Sequence, residues 1–259
     1  MSSFFRVSNL SKSFAGVPAV ADISFSIEQG AIVGFVGPNG SGKSTTVDCL
    51  TGFQSVDEGS WSLEGTPLSG LPRNIIARNG LSRTFQAVQA YEQLSVLENL
   101  LVARQEFESV GFFNSILRTA KLRHSENDLL ERAAELLDVV GLTHLSEYPV
   151  EFLSYGQRKL LSMAGAMISR PKIVFLDEPV AGVNPTMVVR ITELLRKFNK
   201  LGITLVIIDH NMEFIMDICK RVIVVEAGSI IADGDPSLIR TDPKVLECYL
   251  GEDVPEGAN

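Results

Sequence analysis

The segment Gly37-Pro-Asn-Gly-Ser-Gly-Lys-Ser44 has the residue types and spacing of a phosphate-binding loop, G-x-x-x-x-G-K-S/T. Glycines allow a tight turn in which successive backbone N–H groups point at phosphate oxygens. Lysine at the seventh position reaches the β- and γ-phosphates, and the hydroxyl that follows it ligates Mg²⁺. We therefore predict a nucleoside triphosphate site made of Gly37, Pro38, Asn39, Gly40, Ser41, Gly42, Lys43, Ser44 and Thr45.

Two adjacent carboxylates follow the apolar run Ile173–Leu176. At the carboxyl end of a buried strand they face the crevice where α/β sheets bind ligands. We expect Asp177 to hold Mg²⁺, directly or through water, and Glu178 to polarise an attacking water. The apolar run Ile203–Ile208 is likewise followed by polar residues, Asp209 and His210. We expect His210 to point at the γ-phosphate.

The segment Leu153-Ser-Tyr-Gly-Gln157 predicts the start of a helix. Ser154 and Gln157 stand three residues apart, as in a capping box. The backbone N–H groups near Gly156, together with the helix dipole, can form a second anion site. Taken alone, the pattern favours ordinary helix capping without a ligand.

These residues need a sheet and helices to position them. The continuous apolar run Ala31–Val36 predicts a strand buried on both faces directly before the phosphate loop, and Arg221–Val225 predicts another. Apolar residues recur at helical spacing over 129–140 and over 191–201, the latter preceded by Asn184-Pro185 as N-cap and first helical residue. From about 87 to 154 only helical pattern occurs, which predicts a helical lobe inserted in an α/β domain.

The bulk composition restricts the class of protein. A formal charge of -8 over 259 residues argues against a nucleic-acid partner, since phosphate contacts need clustered Lys and Arg. Three widely spaced cysteines provide no metal spacing, and we expect reduced cytosolic thiols. No apolar run approaches the ~20 residues of a membrane span, and we expect no signal peptide.

In the order and spacing of its motifs the chain resembles the ATP-binding cassette (ABC) family over nearly its whole length. The motifs are the phosphate loop, Thr84-Phe-Gln86, Leu153–Gln157, Ile173–Glu178, Ala181–Pro185 and His210. The resemblance implies an ATPase with ATP and Mg²⁺ in a head-to-tail dimer, where Ser154 and Gly156 of one subunit cap the γ-phosphate held by the other. It also implies that Gln86 contacts Mg²⁺ or the lytic water and senses the membrane subunit.

The expected fold class is α/β: a P-loop NTPase (RecA-like) core with an inserted α-helical subdomain and an antiparallel β front. We expect one domain over 1–251, with the core at about 1–87 and 158–251, the helical subdomain at about 88–157, and a flexible tail at 252–259. The chain departs from the family pattern at three positions. Tyr155 replaces a glycine, Asn184 replaces an aspartate, and Phe14 stands where a tyrosine usually stacks on adenine.

Within the family, Leu81–Gln86, Ser95–Leu100, Asp209–Met212 and the ending Leu246–Gly251 resemble the branched-chain amino acid uptake branch. The resemblance implies transmembrane permease subunits, a second ATP-binding subunit (identical or paralogous), a periplasmic or lipid-anchored solute-binding protein acting indirectly, and a location on the cytoplasmic face of the inner membrane. Urea and amide importers and a lipopolysaccharide-export ATPase share much of the pattern. The transported solute and the choice between homo- and heterodimer stay open.

Two other classes of protein fit less well. A soluble ABC ATPase acting on nucleic acid or ribosomes typically carries two cassettes or a long coiled coil, and a P-loop small-molecule kinase does not need Leu153–Gln157.

Two surface features also have alternative interpretations. Gly111–Leu117 is part of either a partner- or membrane-facing amphipathic piece or the protein's own core, and the pattern favours the core. Tyr91 is either a docking anchor for the membrane subunit or a packed aromatic.

Overall fold

The computed structural model describes residues 4–84, 90–105 and 120–250 as two sheets flanked by helices. The strands, in chain order, are β1 Phe5–Phe14, β2 Val17–Ile27, β3 Ile32–Val36, β4 Glu58–Leu63, β5 Thr66–Pro67, β6 Leu81–Arg83, β7 Ile173–Asp177, β8 Thr204–Ile208, β9 Arg221–Glu226 and β10 Ser229–Gly234. The helices are α1 Lys43–Leu50, α2 Arg73–Arg78, α3 Val96–Gln105, α4 Ala120–Val140, α5 Tyr155–Met167, α6 Pro185–Lys200, α7 Met212–Ile218, α8 Pro236–Ile239 and α9 Pro243–Leu250.

The larger sheet has the strand order β10-β9-β3-β8-β7-β6. From β9 to β6 the strands are parallel, and β10 pairs antiparallel with β9 at one edge. Every residue of β3, β7 and β8 is buried, as predicted from their continuous apolar runs. Because these strands are parallel neighbours, the segments that follow them emerge at one edge of the sheet.

The smaller sheet, β2-β1-β4-β5, is antiparallel and covers one face of the larger sheet. Its inward residues alternate with exposed ones, so that Phe5 and Phe25 pack against Phe35 and Phe175 of the parallel strands. Strands β1 and β2 belong to the antiparallel β front that the sequence predicted, and their outer halves are partly exposed, so those halves carry little apolar signal.

Helices cover the opposite face of the larger sheet. The alternate residues of the same buried strands, among them Val174 and Leu176, pack there against α5, α6 and α7. Helices α3 and α4 lie within the segment of about 87–154 where the sequence predicted only helical pattern, and α4 ends at Val140, the last residue of the predicted apolar stripe. Helix α5 follows at the helix start predicted from Leu153–Gln157. The segment Gly111–Leu117 lies outside the described residues. Among the helices that are described, none is long and apolar enough to cross a membrane.

Candidate functional site

The phosphate loop joins β3 to α1 and takes its shape from glycines. Gly37 has φ +152°, and a Cβ there would lie 2.0 Å from the carbonyl oxygen of Val225. Gly42 has φ +99° and N-caps α1, and a Cβ there would lie 2.2 Å from the carbonyl oxygen of Ala19. Any other residue would collide with main chain at either position, so the glycines fix how closely the loop lies to β9 and β2.

Lys43, the first residue of α1, turns its ammonium back into the loop. Its Nζ donates to the carbonyl oxygens of Gly37 at 2.8 Å and Pro38 at 2.7 Å. The loop therefore presents a cation together with the N-terminus of an eight-residue helix, two features that attract phosphate.

The ends of β7 and β8 bring the predicted acids and histidine together. Asp177, the last residue of β7, pairs with Ile208, the last residue of β8, and the Glu178 N–H donates to the Ile208 carbonyl oxygen at 2.7 Å. His210 Nδ1 lies 3.6 Å from Glu178 Oε1. Parallel pairing thus aligns two segments that are far apart in the chain, since Asp177 pairs with Ile208.

A cleft of about 230 Å³ opens between the phosphate loop and this sheet edge. Its lining residues are Ala19, Asn39, Gly40, Ser41, Gly42, Lys43, Ser44, Thr45, Asp177, Glu178, Ile208, Asp209 and His210. Ten of these are residues that the sequence analysis selected, and Gly37 and Pro38 belong to the same loop. Ser44 and Asp177 both line this cleft, and their side chains carry oxygen, the donor type that Mg²⁺ prefers.

Burial and charge shape the electrostatics of the acids. The Asp177 side chain is only 10% exposed, and burial raises its pKa, while Arg83, with a nitrogen 3.4 Å from Oδ2, opposes that rise. Arg83 also pairs with Asp48 of α1, which ties the helix after the phosphate loop to the end of β7. Burial likewise raises the pKa of Asp209, which is 1% exposed.

The predicted helix start at Ser154 is a complete capping box. The Ser154 hydroxyl accepts from the Gln157 N–H at 3.3 Å, and the Gln157 side chain accepts from the Ser154 N–H at 2.8 Å. Ser154, Gly156 and Gln157 do not line the cleft of their own chain. The Tyr155 ring lies against Gly182, where a Cβ would be 3.1 Å from Tyr155 Cε1, so the departure from glycine has a packing partner.

The other predicted site residues lie elsewhere. Phe14 is 46% exposed at the turn between β1 and β2, and the return strand supplies Ala19 to the cleft. Asn184 caps α6 by accepting from the Met187 N–H at 2.9 Å, with Pro185 at the first helical position as predicted. Gln86 lies outside the described residues.

Sequence reasoning missed three residues of this region. Ala19 carries no chemical signal, and its place in the cleft depends on the fold of the β1–β2 hairpin. Asp209 was available beside His210 at the end of a buried strand, but it was not selected. Lys159 of α5, whose ammonium donates to the backbone carbonyl of Glu178, reads in sequence as an ordinary surface lysine.

Comparison with known families decides the identity of the fold. The family model described as ABC transporter matches residues 20–181, which include the phosphate loop, the capped helix and the acid pair. This chain belongs to the ABC transporter family. It is an ATP-binding cassette, the ATPase component of such transporters, as the motif order predicted.

Individual ABC proteins resemble the chain over nearly all of its length. BraF of Pseudomonas aeruginosa, a high-affinity branched-chain amino acid transport ATP-binding protein, is 38% identical over 248 residues, covering 95% of this chain and 97% of BraF. LptB of Haemophilus influenzae, a lipopolysaccharide export system ATP-binding protein, is 32% identical over 250 residues, with 96% and 98% covered.

Two further comparisons concern the branch and the fold of this ABC protein. A second family model, described as branched-chain amino acid ATP-binding cassette transporter, matches residues 229–255. A crystal structure of an ABC transporter ATP-binding cassette in its ADP conformation superimposes with a TM-score of 0.84 at 31% identity, covering 97% of this chain and 100% of that chain. The predicted fold class and family are confirmed.

Proposed function

We propose that this cassette hydrolyses ATP to power the uptake of branched-chain or other hydrophobic amino acids through a separate membrane permease. The single observation that supports hydrolysis best is the cleft in which the phosphate loop faces Asp177, Glu178 and His210. The match of residues 229–255 to the branched-chain amino acid cassette supports the class of solute.

In this proposal the loop binds the triphosphate through its backbone N–H groups and Lys43. Ser44 and Asp177 would hold Mg²⁺ through their side-chain oxygens, and the ion would supply positive charge beside the phosphates. Glu178 takes a proton from the attacking water. His210, whose Nδ1 lies 3.6 Å from Glu178 Oε1, contacts the γ-phosphate. Phe14 stacks on adenine, and Gln86, which lies outside the described residues, completes the set around the metal and the water.

We further propose that two cassettes enclose each ATP. The N-terminus of α5 carries backbone N–H groups at Tyr155 and Gly156 and the positive end of a thirteen-residue helix. Because Ser154, Gly156 and Gln157 do not line their own chain's cleft, a phosphate partner for them would come from a second subunit. That subunit is either an identical chain or a paralogue.

We also propose a division of the chain into a nucleotide-binding core, a helical subdomain and a tail. The segments at about 1–87 and 158–251 form the nucleotide-binding core, about 88–157 forms the helical subdomain, and 252–259 is a tail outside the described residues. The cassette works from the cytoplasmic face of the inner membrane, where it assembles with permease subunits. The solute reaches them on a periplasmic or lipid-anchored binding protein, and no nucleic acid takes part.

Export of lipopolysaccharide is the alternative that the LptB likeness supports. BraF is more similar, at 38% against 32% identity, and the carboxyl-terminal match names amino-acid transport. Uptake of urea or amides shares the same sequence pattern. Amino-acid uptake is therefore the function we propose.

The test is solute uptake by vesicles that contain the complete transporter assembled around this chain. We expect ATP-dependent uptake of labelled leucine, loss of that uptake in Glu178→Gln, and normal uptake in Glu193→Gln, a control for an exposed carboxylate on α6. ATP-dependent uptake of urea without leucine uptake, or release of lipopolysaccharide by the wild-type complex, would assign the cassette to another substrate.

A further inference from the structure

Lys159 lies one turn into α5, beyond the capping box, and is 4% exposed. Its Nζ donates to the backbone carbonyl oxygen of Glu178, the residue proposed as the general base. The ammonium also lies over the ring of Tyr155, with 5.7 Å between Nζ and the ring centroid. A long side chain of α5 thus ends at the main chain of a residue that lines the nucleotide cleft.

Burying a lysine is costly unless charges compensate for the lost water. Burial lowers the pKa of Lys159, whereas the carboxylates of Asp209, Glu178 and Asp177 act in the opposite direction. Asp209, whose charge opposes the lowering most among these three carboxylates, is itself 1% exposed. The ammonium therefore interacts electrostatically with the acids of the cleft, in addition to its hydrogen bond with the Glu178 carbonyl oxygen.

The backbone of Glu178 needs such support because its conformation is strained. Its φ is +45°, a left-handed value that is unfavourable for a residue with a Cβ. Its N–H donates to the Ile208 carbonyl oxygen at 2.7 Å, and its carbonyl oxygen accepts from Lys159. Hydrogen bonds on both sides of the residue fix the peptide planes that set the direction of its side chain.

We propose that Lys159 is a positioning residue that holds Glu178 in its strained conformation and couples the aim of this carboxylate to the N-terminus of α5. The proposal rests on the proposed role of Glu178 as the base. The capping box and Lys159 are on the same helix, five residues apart from Ser154 to Lys159. A displacement of α5 as its N-terminus meets phosphate moves the Lys159 ammonium and with it the main chain of Glu178.

The first test is Lys159→Met, which keeps most of the stem and removes both the charge and the donor. A base misplaced by about 1 Å loses roughly a hundredfold in rate, so we expect kcat to fall between tenfold and a hundredfold. ATP affinity, KM and ATP-dependent dimerisation should change less than about threefold, since the phosphate loop and the cap remain. Lys159→Arg, which keeps a cation with N–H donors, should restore most of the turnover.

Lys172→Met is the matched control. Lys172 pairs with Glu64 and precedes the opposite end of β7, so its loss should leave turnover near the wild-type rate. If Lys159→Met reduces the melting temperature, Lys159→Arg separates the two effects, because recovered stability without recovered turnover would contradict a positioning role. Wild-type turnover in Lys159→Met would overturn the proposal outright.

A double-mutant cycle with Glu178→Gln asks whether Lys159 acts through Glu178. We expect Lys159→Met to change the residual turnover of Glu178→Gln by less than about twofold, since the aim of a glutamine no longer matters. If the two substitutions instead reduce turnover by independent factors that multiply in the double variant, Lys159 does not act through Glu178 and the proposal is refuted. Wild-type turnover in Glu178→Gln alone would instead refute the base assignment, and the Lys159 proposal with it.

Discussion

Replacing Gly42 by alanine should damage the fold much more than replacing Gly40, although both glycines belong to the phosphate loop. Both have positive φ, +99° and +76°, so alanine meets backbone strain of about 1–2 kcal/mol at either position. Their surroundings differ. A Cβ on Gly40 meets no protein atom within 4 Å, whereas a Cβ on Gly42 lies 2.2 Å from the Ala19 carbonyl oxygen.

The collision at Gly42 requires a movement of main chain. Side-chain carbons essentially never lie closer than 3.0 Å to such atoms, so β2 and the start of α1 must separate by about 0.8 Å. Overpacking of this kind costs about 1–3 kcal/mol in addition to the strain. We therefore expect Gly40→Ala to lower the free energy of unfolding by about 1–2 kcal/mol and Gly42→Ala by about 2–5 kcal/mol.

Urea denaturation measures the free energy of unfolding of both variants. Nucleotide is left out so that changes in phosphate binding do not contribute to the result. Gly34→Ala extends the series, because Gly34 has no left-handed φ but its Cβ would lie 2.9 Å from the Cγ2 methyl of buried Ile215. Overpacking without backbone strain should therefore cost about 1–3 kcal/mol. Equal losses in Gly40→Ala and Gly42→Ala would refute the reasoning, because strain alone would then account for both.

Three further predictions concern reactivity, docking and phosphate binding. Burial raises the pKa of Cys49 to about 11 and that of Cys219 to about 12, so at pH 8 only about one Cys49 side chain in a thousand is a thiolate. Alkylation followed by mass spectrometry should find neither thiol modified until the protein unfolds, and rapid labelling of Cys49 would contradict this. Tyr91→Ala should leave the melting temperature nearly unchanged because the side chain is 54% exposed, and should weaken pull-down of the permease by about 1–3 kcal/mol; normal assembly would remove Tyr91 from the interface. Lys43→Ala should weaken binding of a fluorescent ATP analogue, and unchanged affinity would remove this ammonium from the phosphate site.

The sequence predicted the central strands because burial on both faces leaves a continuous apolar run. Strands β7 and β8 were expected at Ile173–Leu176 and Ile203–Ile208, and they differ from the observed bounds by one residue at one end. Edge elements were harder to predict. Strand β10 is partly exposed along its length, and β5 has two exposed residues, so neither carries a periodic signal.

The site was predictable wherever chemistry coincides with a strand end or a loop of fixed spacing. The phosphate loop, Asp177, Glu178 and His210 satisfy that condition, and the structure brings them to one cleft. Lys159 does not satisfy it. Its contact with Glu178 depends on the packing of α5 against β7, a long-range arrangement that the spacing of residues within one helix does not reveal.

Phosphate release by the purified cassette, together with its permease partners, tests the central claim most directly. Glu178→Gln should bind ATP with nearly wild-type affinity and hydrolyse it at least two orders of magnitude more slowly, as expected for the loss of a positioned base. Glu193→Gln, the exposed control on α6, should hydrolyse ATP at the wild-type rate. Hydrolysis by Glu178→Gln near the wild-type rate would contradict the assignment of the base, and no ATP hydrolysis by the assembled wild-type complex would contradict the proposed function itself.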